Sequence, residues 1–473
     1  MTQIKFGTSG WRGILAEDFT LDNVRVVTQA IADHLRESGE ADRGLVVGHD
    51  SRFFGKRFAR EAARVLAASG IPVFLCKGDT PTPVIAFEIL RRKAGGAINF
   101  TASHNPYEYN GIKFSPSWGG PALPDTTRDI EERANAMLGE ICYRDMPLDQ
   151  AVKAGLVEEV DPMQDYLADL RGKINTEAIA ESQLTVVFDP MFGAGRNYVD
   201  TFLVESGLLV QTINAGQDPY FGGLPPDPSP AHLAVLTSHV RRDEKVVLGL
   251  ATDGDADRYG IIDADGTFIE PNYILALLYD YMIRRRGEQG DSARSVATSH
   301  FIDAVAAHHG YQVFETPVGF KYIGELICQD DIILGGEESA GLSMAGHVPD
   351  KDGILACLLV AEMVAVEGKT LGQLLDDLYS RVGSYHTART NLRLSPELAA
   401  GVEDKLKAPP PELGQRKIAK VVTTDGVKLI FNDQSWVLFR KSGTEPVVRV
   451  YSEAHSAEDL NRLTEAAVQF IQG

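Results

Sequence analysis

Ser103 stands in the run TASHNP, directly after the apolar segment GGAINF, and is followed by His104, Asn105 and Pro106. A serine hydroxyl becomes a nucleophile only when a base takes its proton or a cation stabilises its oxygen. His104 and Lys113 are both close in sequence, and the Y-N-G ahead of Lys113 reads as a turn that folds the lysine back. Alone, such a serine is as well explained as a hydroxyl capping a turn. No G-x-S-x-G elbow occurs in the chain, so acyl transfer on an α/β-hydrolase plan has no support.

Asp253, Asp255 and Asp257 alternate in TDGDADR. Three carboxylates so placed repel one another unless a cation sits between them, and a hard, oxygen-binding metal is the natural reason for the pattern. An EF-hand is excluded, because its sixth position carries Arg258 and its twelfth Ala264 where Gly and Glu are required. A D-x-D phosphatase nucleophile is disfavoured, because Asp257 stands where that motif takes Thr or Val. Arg258 lies beside the carboxylates, where an anion could bridge it and a metal such as Mg²⁺.

Two further runs are suggestive. GGEESAG sets Glu337, Glu338 and Ser339 between glycines, a composition suited to bidentate bonds to vicinal hydroxyls and equally to an ordinary turn. RKSGTEP combines Arg440, Ser442, Gly443 and Thr444 after the strand-like SWVLF. Planar Arg donors, hydroxyls and amides of that kind can converge on a phosphate, and the same residues would serve a β-turn.

The elements that must position these runs recur in order. LVVGHD, IPVFLC, TPTPVIAFEILRR and GGAINF lead into TASHNP; LTVVFDP, LLVQTIN, PPDPSP and KVVLGLA lead into TDGDADR; SVATSH, YQVFETP, VGFKYIGELI and DIILGG lead into EESAG. β-Branched apolar runs alternating with helical patterns predict mixed α/β layers, whose ligands gather at the carboxyl ends of strands. From about Arg381 the pattern turns strand-rich, and a helix is predicted from Ala457 to Gln472, capped by Ser456. The expected architecture is therefore α/β: three related mixed α/β domains over 1–145, 146–258 and 259–378, then a smaller α+β domain over 379–473, around a central cleft.

Composition narrows the function. The 46 basic against 66 acidic residues give a formal charge of −20, which disfavours nucleic acid and anionic membranes as partners. A phosphate ligand would need basic residues gathered locally, and Arg12, Lys113, Arg258, Arg440 and Lys441 are candidates. The four cysteines form no C-x-x-C pair, and no leader or span-length apolar run is evident. A cytoplasmic protein is expected.

Together the runs resemble the α-D-phosphohexomutase family, most closely its bacterial phosphoglucomutase/phosphomannomutase members. TASHNP is similar to the family's phosphoserine loop, DGDADR to its metal loop, GEES (336–339) to its sugar loop and RKSGTEP to its phosphate loop, while GTSGWRG (7–13) matches its N-terminal pattern. The resemblance implies that Ser103 is phosphorylated and that its phosphate, with Asp253, Asp255 and Asp257, holds one Mg²⁺. It implies Lys113 as general acid/base, His104 and Arg258 assisting, and Arg12 near the phosphoserine. Glu337 and Ser339 would grip sugar hydroxyls, and Lys321 matches a substrate-contacting lysine of the glucomutase branch. Arg440, Ser442, Gly443 and Thr444 would hold the phosphate that is not reacting. The implied activity is interconversion of glucose 1-phosphate and glucose 6-phosphate through glucose 1,6-bisphosphate, which is also the activator, by a monomer or homodimer. Phosphomannomutase, another phosphohexomutase, hexose 1,6-bisphosphate synthase and a non-catalytic sugar-phosphate sensor are the alternatives. The GEES loop is closer to phosphoglucomutases than to the GEMS of phosphomannomutases.

Overall fold

The computed structural model describes residues 3–7, 10–139, 142–393, 401–402, 405–441 and 447–472. Runs such as LVVGH and GAINF are buried at every position, as parallel strands covered on both faces must be. They build three units with one strand order. In the first, Gly96–Phe100, Leu45–His49 and Val73–Cys76 lie parallel in that order, and Tyr109–Pro116 runs antiparallel beside Gly96–Phe100. In the second, Val246–Thr252, Thr185–Asp189 and Leu209–Thr212 are parallel, with Tyr259–Asp263 antiparallel on the same side. In the third, Ile332–Glu337, Asp291–Ser295 and Val313–Thr316 are parallel, with Gly341–Met344 antiparallel.

The repeat read from sequence is thus a repeat of topology. In every unit the polar run is the connection from the third of these parallel strands in chain order to its antiparallel neighbour. Each connection also holds one non-glycine residue in the left-handed region: Ser103 at φ 52°, Ala256 at φ 58° and Ala340 at φ 68°. Such a conformation costs about 1–2 kcal/mol and persists only where the surroundings enforce it.

Three expectations need correction. The first sheet also takes in Val157–Val160, paired with Val73–Cys76, so a break at 145/146 falls before its last strand. That strand, VEEV, exposes both its acids and does not read as part of a sheet. The second sheet runs on through Phe268–Ile269, past the expected break at 258/259. In the third unit the strand is Asp291–Ser295 rather than SVATSH. Arg294 hides it: the side chain is buried in the strand by bonds to Asp303 at 2.6 and 2.9 Å and to Glu315 at 2.7 Å.

The helix Gly353–Glu367 is apolar on all sides and buried from Gly353 to Val364, the mark of a core helix. It joins Leu248, Leu250 and Ile261 of the second unit to Leu334, Leu342 and Met344 of the third in one apolar cluster. Its N-terminus meets the TDGDADR run: Gly353 N–H donates to the Ala256 carbonyl at 3.0 Å, and a Cβ on Gly353 would lie 2.2 Å from the Arg258 carbonyl oxygen. The fourth unit is an antiparallel sheet in the order His386–Arg393, Val447–Ala454, Trp436–Lys441, Val427–Phe431, Arg416–Val422, Glu412–Leu413. The helix Ala457–Gln472 covers one face through Leu463, Ala467 and Ile471, and the Ser456 hydroxyl caps it by accepting from Asp459 N–H at 3.2 Å. The other face docks on the third unit through Trp436, Leu438 and Tyr451 against Val296 and Ala297.

Gly353→Ala, which leaves the new methyl no room beside Arg258, is expected to destabilise the protein by about 1–3 kcal/mol. A denaturant midpoint shift at unchanged slope is the measurement.

Candidate active site

The Ser103 hydroxyl donates to Asp253 Oδ2 at 2.8 Å and lies 3.2 Å from His104 Nδ1. The first and second loops are therefore in direct contact. Burial, with Arg258 and Arg12 nearby, pushes His104 well below the ordinary histidine range, which leaves a neutral imidazole beside the hydroxyl. Arg12 reaches the loop because its strand pairs with Tyr109–Pro116, Arg12 opposite Gly111; its Nη1 donates to Asn105 Oδ1 at 2.6 Å.

Lys113 arrives by a different route from the one its sequence suggests. Y-N-G is not a turn but the start of the strand Tyr109–Pro116, and Lys113 sits opposite Asn99 in the antiparallel ladder. Its Nζ donates to Asp255 Oδ2 at 2.6 Å and Asp257 Oδ2 at 2.8 Å. Burial opposes its charge, but Asp255 and Asp257 outweigh burial and hold its pKa above the usual lysine range.

The three aspartates are buried, and an oxygen of each lies within 4.8 Å of the others. Burial and the adjacent Asp255 and Asp257 push the Asp253 carboxyl well above the carboxylate range. Burial also opposes the charge of Asp257, yet Lys113, Lys351 and Arg258 hold its pKa far down. Asp255 Oδ1, Asp257 Oδ1 and Arg258 Nε are all buried with no hydrogen-bond partner. Carboxylate oxygens without a hydrogen-bond donor are what a hard divalent cation requires, so the donor set fits Mg²⁺, and the Arg258 Nε–H, 4.0 Å from Asp257 Oδ1 and without a hydrogen bond, suits an anion.

The third loop places Glu337 in the protein interior. Its Oε1 accepts from Gly319 N–H at 2.8 Å, and burial, reinforced by Glu338, pushes its pKa up to about 7. Glu338 is held by the hydroxyls of Ser295 at 3.0 Å and Thr298 at 3.3 Å. Ser339 is half-buried in the same connection. Lys321 lies in the first turn of the helix that Gly319 opens, half-buried, its Nζ 5.5 Å from the Tyr322 ring centroid. Arg440 does not bond to the Ser103 cluster. Its Nε donates to Asp425 Oδ2 at 2.9 Å, and that same oxygen accepts from Val318 N–H at 3.2 Å, tying the fourth unit to the approach of Lys321. Ser442, Gly443 and Thr444 lie outside the described residues.

Sequence reasoning missed several partners. Thr82 donates its hydroxyl to Asp255 Oδ2 at 2.6 Å. Lys351, in the run VPDKDG, reaches Asp257 Oδ2 at 3.3 Å. Asp50 and Arg52 lie under the Ser103 loop, and Asp50 accepts from the Thr101 hydroxyl at 2.6 Å. The position of Asp50 and Arg52 just past the carboxyl end of Leu45–His49 was the available signal, since ligands gather there. Thr82 and Lys351 had none, because each is brought in from another unit.

A buried hydroxyl, clustered carboxylates and cations held together in this way suit an enzyme that handles phosphate, and similarity to known proteins gives its family. The four domains described as phosphoglucomutase/phosphomannomutase alpha/beta/alpha domains I, II and III and C-terminal domain match residues 3–138, 164–266, 270–382 and 390–469. A phosphoglucomutase/phosphomannomutase of Thermococcus kodakarensis is 31% identical over 99% of this chain and 98% of its own. A phosphoglucomutase of Komagataeibacter xylinus is 31% identical over 96% and 87%, and a Pyrococcus abyssi chain assigned as a phosphoglucosamine mutase is 32% identical over 99% and 97%. A Thermus thermophilus structure assigned as a phosphomannomutase superposes with TM-score 0.86 at 33% identity, covering 100% of both chains. The chain belongs to the phosphoglucomutase/phosphomannomutase family, the α-D-phosphohexomutases. It is an enzyme of the isomerase class that transfers a phosphoryl group within sugar phosphates. Among the described residues no helix is long and apolar enough to cross a membrane.

Two outcomes follow. Thr82→Val, which removes a hydroxyl behind Asp255, is expected to weaken Mn²⁺ binding by roughly 10–100-fold, measured by calorimetry. Glu337 has its folded pKa raised from 4.5 to about 7, so between those values the folded state binds more protons than the unfolded one. Stability is then lost as pH rises through that window. Glu337→Gln removes this contribution, and chemical denaturation at pH 4.5 and pH 8 is expected to show the wild type losing more stability between the two than the variant, in which other carboxyls with raised pKa such as Asp253 remain.

Proposed function

We propose that the protein is a phosphoglucomutase, interconverting glucose 1-phosphate and glucose 6-phosphate through a phosphoserine at Ser103 and glucose 1,6-bisphosphate. The observation that carries this reading is the hydroxyl of Ser103, 2.8 Å from one of three clustered buried aspartates. In the relay, phosphoserine 103 gives its phosphoryl group to the free hydroxyl of a hexose monophosphate. The bisphosphate turns over within the cleft, and Ser103 takes back the other phosphate. Such transfers depend chiefly on positioning and charge stabilisation.

Asp253, Asp255 and Asp257 would hold Mg²⁺ together with the serine phosphate, and the ion would draw negative charge from the phosphoryl group. Arg12 and Arg258 are cations beside the Ser103 loop that could meet the phosphate. Lys113, poised on Asp255 and Asp257, serves as acid/base for the sugar hydroxyl, with neutral His104 next to the serine oxygen. Glu337, Ser339 and Lys321 face the sugar, and Arg440 with Ser442, Gly443 and Thr444 takes the second phosphate. GEES and Lys321 support glucose, whereas the names of the relatives span glucose, mannose and glucosamine.

Ser103→Ala is expected to lose interconversion of glucose 1-phosphate and glucose 6-phosphate to background. Retention of full activity would refute the phosphoserine. Assays with glucose, mannose, glucosamine and N-acetylglucosamine phosphates and Mg²⁺ are expected to give the highest kcat/KM for glucose.

A further inference from the structure

We propose that Arg52 is the positioning residue for phosphoryl transfer, a single guanidinium that sets the aim of Ser103 through the backbone of its loop. The inference rests on the phosphoserine reading above and adds to it a residue that touches neither the nucleophile's hydroxyl nor the aspartates.

The Arg52 side chain is wholly buried, as is that of Asp50. Its Nε donates to Asp50 Oδ2 at 3.2 Å. Nη1 donates to the carbonyls of Pro106 at 2.7 Å and Tyr109 at 3.0 Å. Nη2 donates to the carbonyls of Ser103 and Asn105, each at 2.6 Å. A guanidinium has five N–H donors in a rigid plane, and here all five are used, three on the Ser103 loop and one on Tyr109, the first residue of the strand that follows it. The loop must therefore present its carbonyls inward to this plane.

That grip acts where the backbone is least at ease. Ser103 is in the left-handed region, and Gly254 of the second unit approaches its carbonyl so closely that a Cβ there would lie 2.6 Å from the Ser103 oxygen. The amide of Ser103 is held separately, donating at 2.8 Å to the Thr101 hydroxyl, which donates in turn to Asp50. Asp50 and Arg52 thus fasten the peptide groups on both sides of the Ser103 side chain. The guanidinium carbon also lies 4.9 Å from the Phe221 ring centroid of the second unit, so the clamp is braced against the unit that carries Asp253. Misplacing reacting atoms by about 1 Å costs about 100-fold in rate, so the effect of losing the clamp belongs in kcat.

Lysine keeps the charge but has neither the plane nor five donors, which separates positioning from simple electrostatics. R52K and R52A are compared with the full-length wild type for melting temperature, kcat and KM. Ser103 phosphorylation is followed by intact mass after incubation with glucose 1,6-bisphosphate. For folded R52K the expected result is a kcat about 100-fold down with KM unchanged and slowed phosphorylation of Ser103. Millimolar guanidinium is expected to restore part of the activity of R52A, with urea as the inactive control. A folded R52K with wild-type kcat and phosphorylation overturns the proposal, as does a rise in KM at unchanged kcat. Should R52A fail to fold, R52K decides alone. A wild type that never takes up a phosphoryl group refutes the phosphoserine reading instead, so the two failures are distinct.

Discussion

The carboxylate of Asp257 is buried in the second unit, and the two lysines that neutralise it come from the first and the third. Lys113 and Lys351 reach the same oxygen at 2.8 and 3.3 Å. Removing one partner from a buried pair of this kind costs about 3–5 kcal/mol, because the remaining charge has no water to turn to. The site and the contact between units are consequently one interaction. A chain that separated these units would take Lys113 from Asp255 and Asp257 and Lys351 from Asp257, so the acidic loop depends on the units being assembled.

The repeated strand order shows how such an assembly is reached. In each unit the chain leaves the third parallel strand of the repeat, makes a short polar connection with one strained residue, and returns antiparallel. Three equivalent connections can then meet, each contributing different chemistry: a hydroxyl, a carboxylate cluster and a buried glutamate. The contacts between them are close. Gly254 approaches the Ser103 carbonyl, and Gly353 approaches Arg258, distances that only glycine permits. The apolar helix Gly353–Glu367 fixes the second unit against the third, which places Lys351 and the Ala256–Arg258 backbone together at its N-terminus.

The fourth unit is attached differently. Its contact with the third is an interior rich in polar groups: Lys428 Nζ donates to the Val296 carbonyl at 2.9 Å and lies 4.0 Å from the Trp436 ring centroid. Trp436 Nε1 donates to Glu453 at 2.7 Å. The backbone segment 296–300 that receives these groups also carries Thr298, which holds Glu338 of the third loop. The position of the fourth unit and the set of the third loop are therefore read by one short segment.

Local chemistry was largely legible in the amino-acid order. Strand and helix patterns, their threefold recurrence and Ser456 as a cap all follow from periodicity and residue type, which act over a few neighbours, whereas the grouping of Ser103 with Asp253, Asp255 and Asp257 came from the family resemblance. The misreadings were equally local in origin: Arg294 disguised a strand, VEEV disguised another, and Y-N-G passed for a turn. What only the tertiary structure decided is which groups from distant units satisfy each buried charge. Thr82 on Asp255 and Lys351 on Asp257 are surface-like residues by type. Their burial pays only when another part of the chain supplies the opposite charge or acceptor, and no pattern within a single segment records that pairing.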